Sequence, residues 1–119
     1  MDNELKRRKS LNRRYEREIR RITNLLRDRY AAQKVVLFGS CGRGSAHEDS
    51  DIDLLIVKST TKRPVDRVRE VYELLYSPQH YLALDPLVYT PEELRQRLAS
   101  GDLFLQDIVR EGKVLYERT

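Results

Sequence analysis

Cysteine is nearly missing: Cys41 is the only one in 119 residues. With no second thiol there is no internal disulfide, and a reducing compartment is the simplest setting. No apolar run approaches the ~20 residues that a membrane span requires, so no membrane association is expected. No apolar export segment follows the basic N-terminal stretch, which points to a cytoplasmic location. Glycine and proline are absent from residues 4–31, removing the two residues that most readily interrupt a helix. The length suits one domain with a single modest core, residues 1–119, with no internal repeat, low-complexity tract or linker dividing it.

What is present is unevenly charged. Residues 1–34 hold 12 Lys/Arg against 5 Asp/Glu, whereas residues 35–119 hold 11 against 14, giving the overall +4. Within the basic part, Leu11, Tyr15, Ile19, Ile22, Leu26 and Tyr30 recur in steps of 4, 4, 3, 4 and 4. That is one face of an amphipathic helix, expected to fill residues 1–31 and to fray over 1–9. Its other faces carry Arg13, Arg14, Arg17, Arg20, Arg21, Arg27 and Arg29. The ordinary reading is a solvated surface with local ion pairs from Glu16 and Glu18. The alternative is a surface for nucleic acid or another acidic partner, although aromatic interleaving for base stacking is sparse.

Residues 32–119 alternate strand and helix signals. Val35–Phe38 and Ile52–Val57 are apolar strands joined by a glycine-rich turn and a polar connection with room for a short helix. Pro64 opens a helix reaching Tyr76, and 82–89 reads as a third strand. Thr90-Pro91-Glu92-Glu93 is a capping box with proline at the first helical position, starting a helix that stops at Gly101. A further helix spans Asp102–Glu111, and Lys113–Tyr116 is a short edge strand. The expected fold is α/β (α+β), with a small mixed sheet and helices mainly on one face.

The chemistry concentrates between the first two strands. Asp51 and Asp53 lie two residues apart at the start of a strand, so they share a face. Two carboxylates repel by about 4 kcal/mol at ~4 Å and an effective dielectric of ~20, and a divalent cation relieves that repulsion. Hard oxygen donors suit Mg²⁺ or Mn²⁺. The turn ahead of them, Gly39-Ser40-Cys41-Gly42-Arg43-Gly44, offers backbone N–H groups of the kind that cradle phosphate. It is not a P-loop, since no Gly-Lys-Ser/Thr follows, nor a dinucleotide fingerprint, since no clean βαβ unit surrounds it. Asp85 is the one acid in an otherwise apolar strand, which calls for a partner or a metal; a strand-end Asp facing water is the alternative.

Gly39-Ser40, ten residues, then Asp51-x-Asp53, with Asp85 on a later strand, resembles the nucleotidyltransferase fold of the DNA polymerase beta superfamily. More narrowly, the chain resembles the minimal nucleotidyltransferases, antitoxin partners in HEPN–MNT toxin–antitoxin pairs. Tyr89–Leu94 and Glu111–Tyr116 are also similar, and the likeness covers about residues 20–118. The resemblance implies that Asp51, Asp53 and Asp85 hold Mg²⁺ (or Mn²⁺) and are catalytic. It further implies that Gly39, Ser40, Arg43 and Gly44 hold the phosphates of ATP, and that AMP passes to an acceptor with release of pyrophosphate. A HEPN-family toxin is the implied partner, in a complex with it. Two departures stand out: Gly42 replaces the alanine common in such turns, and Pro86 removes a backbone donor beside Asp85, as at an edge or bulge.

Other residues read more plainly. His47, Glu48 and Asp49 suit a solvated loop. Cys41 lacks a convincing histidine partner. Tyr72, Tyr76 and Tyr81 suit a core or interface. The functions to weigh are thus an Mg-dependent nucleotidyltransferase acting as an antitoxin, a catalytically idle binding antitoxin, and a nucleic-acid-binding or processing module using the basic helix.

Overall fold

The computed structural model describes residues 2–43, 51–78 and 83–119. In chain order the elements are α1 (Asp2–Asp28), β1 (Lys34–Phe38), α2 (Gly39–Gly42), β2 (Ile52–Val57), α3 (Pro64–Leu75), β3 (Leu84–Tyr89), α4 (Pro91–Ala99), α5 (Leu103–Glu111) and β4 (Lys113–Glu117). The strands form one mixed sheet in the order β3-β2-β1-β4. β1 runs antiparallel to both β2 and β4, and β2 runs parallel to β3.

The continuous apolar run of β2 has the cause usual for a strand covered on both sides. Alternate residues Ile52, Leu54 and Ile56 join Val35 and Leu37 of β1 in a core sealed by Tyr15, Ile22 and Leu26 of α1 and Val71 and Leu75 of α3. On the opposite face Val36 and Leu55 pack against Leu105 and Ile108 of α5, with Leu94 and Leu98 of α4 beside them. The two long helices thus share one face, and α4 and α5 cover part of the other.

α1 is helical from Asp2 rather than frayed over its first turns, and a Glu4–Arg8 pair of i,i+4 spacing lies along that stretch. Its apolar stripe falls where the periodicity put it. Glu18 departs from the surface reading: it is only 5% exposed. Arg21 donates to Glu18 at 2.6 Å and to the Leu75 carbonyl at 2.9 Å, so this pair ties α1 to the end of α3. The helix closes at Ala31, whose φ of 59° is the one positive value among described non-glycine residues, while Ala32 N–H bonds back to the Leu26 carbonyl at 3.0 Å.

β3 is an edge strand, which accounts for Pro86. Its outward backbone groups belong to Leu84, Pro86 and Val88. Tyr72 Oη donates to the Leu84 carbonyl at 2.9 Å, Arg67 reaches the Val88 carbonyl at 3.4 Å, and proline has no N–H to offer. An edge capped in this way presents little template for another strand. Arg67 is itself buried and also donates to the Lys62 carbonyl at 2.7 Å and to Glu93 at 2.6 Å. Glu93 completes the expected capping box, accepting from Thr90 N–H at 2.8 Å while its own N–H bonds to Thr90 Oγ1 at 3.1 Å. The Arg67–Glu93 pair therefore joins α3, β3 and the start of α4.

Candidate active site

The register that aligns β2 with β3 places Asp53 directly beside Asp85. Both lie on the face that α4 and α5 only partly cover. A cleft of about 470 Å³ opens there, lined by Gly39, Gly42 and Arg43 at the end of β1, by Asp53 and Asp85, and by Phe38, Phe104, Asp107, Ile108, Glu111 and Gly112. The two ends of the sequence motif, separated by a connection outside the described residues, thus meet at one point.

Gly39 shows why the turn takes its form. Its φ is +71°, a region that disfavours a side chain, and a Cβ built there would collide with Asp53 Oδ2. The glycine lets the backbone lie against that carboxylate. Burial pushes the Asp53 carboxyl above its ordinary value, and the charges of Asp85 and Asp51 and a hydrogen bond with Asp85 add to the shift; Arg43 pulls the other way. A bound cation would offset the like charge that opposes ionisation of Asp53. Asp51 precedes β2 and is exposed; its charge is felt at Asp53, but its side chain is not part of the cleft lining.

Among the described residues no three His, Cys, Asp or Glu side chains form an assembled metal-binding group. The donor set nevertheless fits a hard divalent cation. It has oxygen ligands only, a carboxyl pair at adjacent strand positions with ionisation of Asp53 opposed by burial and like charge, and a glycine-made space beside Asp53 Oδ2.

Ser40 lies in α2, half-buried, and Arg43 is exposed at its end. Gly44, expected among the phosphate ligands, lies outside the described residues, as do His47, Glu48, Asp49 and Tyr81. Cys41 is no activated nucleophile. Burial, with Asp53 and Asp51 nearby, pushes its thiol up to about 11. Its Sγ contacts the Asp51 carbonyl at 3.5 Å.

Sequence reasoning did not find the α5 wall of the cleft. Phe104, Asp107, Ile108 and Glu111 follow a helical i, i+3, i+4, i+7 stripe, and Phe104 is an exposed aromatic on it. That stripe was the available signal. It reads as ordinary amphipathicity until β4 pairs with β1 and brings the end of α5 beside Leu37.

Residues 20–119 match the family described as polymerase beta, nucleotidyltransferase. The chain is 30% identical over 103 residues to MJ0604 of Methanocaldococcus jannaschii, named as a candidate protein adenylyltransferase, a match covering 85% of this chain and 97% of that protein. It is 35% identical over 89 residues to MJ1305 of the same organism, similarly named; the match covers 71% of this chain and only 58% of that longer relative. Among solved structures, a toxin–antitoxin with AMP-PNP superposes with a TM-score of 0.57 at 25% identity, covering 85% of this chain and 74% of that one. An MntA–HpeT toxin–antitoxin mutant gives a TM-score of 0.59 at 24% identity, with coverage of 85% and 74%, a likeness of fold. With most of its length matched, the chain belongs to the polymerase beta nucleotidyltransferase family and is a nucleotidyltransferase.

Proposed function

We propose that this chain transfers AMP from ATP, with Mg²⁺ (or Mn²⁺), to a hydroxyl of a protein partner, and that the partner is a HEPN-type toxin neutralised by the modification in a reducing, cytoplasmic setting. The observation that carries this reading is the pairing of Asp53 with Asp85 in one cleft against the Gly39 turn. The names of the two archaeal relatives and the toxin–antitoxin with AMP-PNP support the acceptor class and the nucleotide.

In this mechanism Asp53 and Asp85 in the cleft, with Asp51 from the start of the same motif, would hold the cation. When bound, the divalent ion offsets the negative charge of the carboxylates and of the phosphate oxygens. Gly39, Ser40 and Gly44 present backbone amides and a hydroxyl to the β- and γ-phosphates, and Arg43 adds a positive charge. Asp85, exposed at the cleft edge, faces the incoming acceptor and takes the hydroxyl proton. The acceptor oxygen bonds to the α-phosphorus as the bond to the bridging oxygen breaks, and pyrophosphate leaves. Positioning and charge neutralisation supply most of what phosphoryl-type transfer needs.

The test is incubation of the folded chain with α-labelled ATP, Mg²⁺ and the adjacent gene's product. Label on the partner is expected. No transfer with any metal or nucleotide contradicts the proposal. An Asp51→Asn, Asp53→Asn double variant that still neutralises the partner fully would instead favour an idle, sterically acting antitoxin. A second reading, nucleic-acid binding through α1, draws on the exposed guanidinium groups of Arg13, Arg14, Arg17 and Arg20. It requires affinity that falls steeply with salt.

A further inference from the structure

We propose that Phe104 is the nucleobase-stacking residue of this cleft, and that it gives the site a preference for purine over pyrimidine nucleotides. The inference rests on the nucleotidyl-transfer reading above and adds where the base sits. The cleft lining combines two chemistries: Asp53, Asp85, the Gly39 turn and Arg43 lie with the aromatic rings of Phe38 and Phe104, and Asp107 and Glu111 follow Phe104 along α5. A nucleoside triphosphate needs both, an anionic tail requiring cations and amides and a flat heterocycle requiring an apolar face.

Phe104 stands where a packed aromatic would not. It is the second residue of α5 and is 58% exposed, although the core residues Leu105 and Ile108 on the same helix are sealed. Its ring meets Phe38 edge-to-face, with centroids 6.0 Å apart and planes at 83°. Phe38 thus holds part of the ring, while the residue as a whole stays exposed in the cleft lining. Phe38 also adjoins Gly39 and pairs with Asp53 across β1 and β2, so aromatic surface lies directly beside the turn and its carboxylate. Stacking reads area rather than hydrogen-bond pattern, so the larger purine face is favoured without strict selection of one base.

Calorimetric titration of the intact chain with Mg–ATP, Mg–CTP and Mg–tripolyphosphate tests this, using wild type, Phe104→Ala and Phe104→Trp, each checked by circular dichroism. Expected is roughly tenfold weaker ATP binding in Phe104→Ala. Tripolyphosphate affinity is expected to stay unchanged, the ATP-over-CTP gap to collapse, and Phe104→Trp to retain ATP. ATP affinity that is unchanged in Phe104→Ala overturns the proposal. So does an equal loss for ATP and tripolyphosphate, or slower transfer to the protein acceptor at unaltered ATP affinity, which assigns the ring to the acceptor. If neither ATP nor tripolyphosphate binds wild type, the nucleotidyl-transfer reading falls and this one with it; if both bind and only the Phe104→Ala effect is missing, this one falls alone.

Discussion

The two faces of the sheet are built from the same strands, yet only one can do chemistry. Toward α1 and α3, every inward residue of β1 and β2 is apolar and sealed. Toward α4 and α5, the apolar series runs through Leu55 and Leu87 and then gives way, one alternation nearer the strand starts, to Asp53 and Asp85. Burial, and then the charges of Asp85 and Asp51, push the Asp53 carboxyl up, so ionising it works against the fold. Stability is concentrated on one face, and the strand-entry end of the other carries like charge whose value lies in a ligand. This separation of roles can be broken by substitution.

The largest effect is expected at Asp53. Asp53→Asn should lower nucleotidyl transfer on the order of a thousandfold while leaving the melting temperature unchanged or slightly higher, because a neutral isostere removes repulsion. Labelled transfer and a thermal melt check both halves. Leu54→Ala, one residue away on the sealed face, should do the reverse. Denaturant titration should show a loss of about 3 kcal/mol, with transfer per folded molecule retained. Arg67→Met should cost about 2 kcal/mol by leaving carbonyls of Lys62 and Val88 and the Glu93 carboxylate without their donor.

The same residue sets a pH dependence. Hydrogen bonds from Arg67 and then from the Thr90 backbone hold the Glu93 carboxyl below its ordinary 4.5. A lowered folded value means that this stabilisation is fully present above pH 4.5 and is lost as pH falls through the folded value. Acid unfolding curves should show that loss in wild type and a flatter profile in Arg67→Met. The smallest effect is expected at Ala31, exposed and left-handed at the end of α1. Ala31→Gly should stabilise by about 1 kcal/mol in denaturant titration, with no change in transfer.

Much of this was legible because its signals are local. The helical period of α1, the alternation and apolar run of β2, and the Thr90–Glu93 box each declare an element within a dozen residues. The Gly39-Ser40 and Asp51-x-Asp53 pairs likewise announce the site's chemistry. What escaped depends on distant partners. Glu18 looks like a surface acid until the end of α3 supplies the Leu75 carbonyl that orders Arg21. Arg67 looks like one more arginine of an amphipathic helix until β3 and Glu93 surround it. The α5 wall of the cleft depends on β4 returning to β1, a pairing across most of the chain that no short window reveals.

The most direct test is a crystal soaked with Mn²⁺ and a non-hydrolysable ATP analogue, read by anomalous scattering. The account predicts a manganese peak between the carboxylates of Asp53 and Asp85, with the phosphates against the Gly39 turn. It would be contradicted by metal and phosphates lodged elsewhere, such as the 540 Å³ cavity beside Arg67 and Arg97 on the β3 edge, with the Asp53–Asp85 cleft empty.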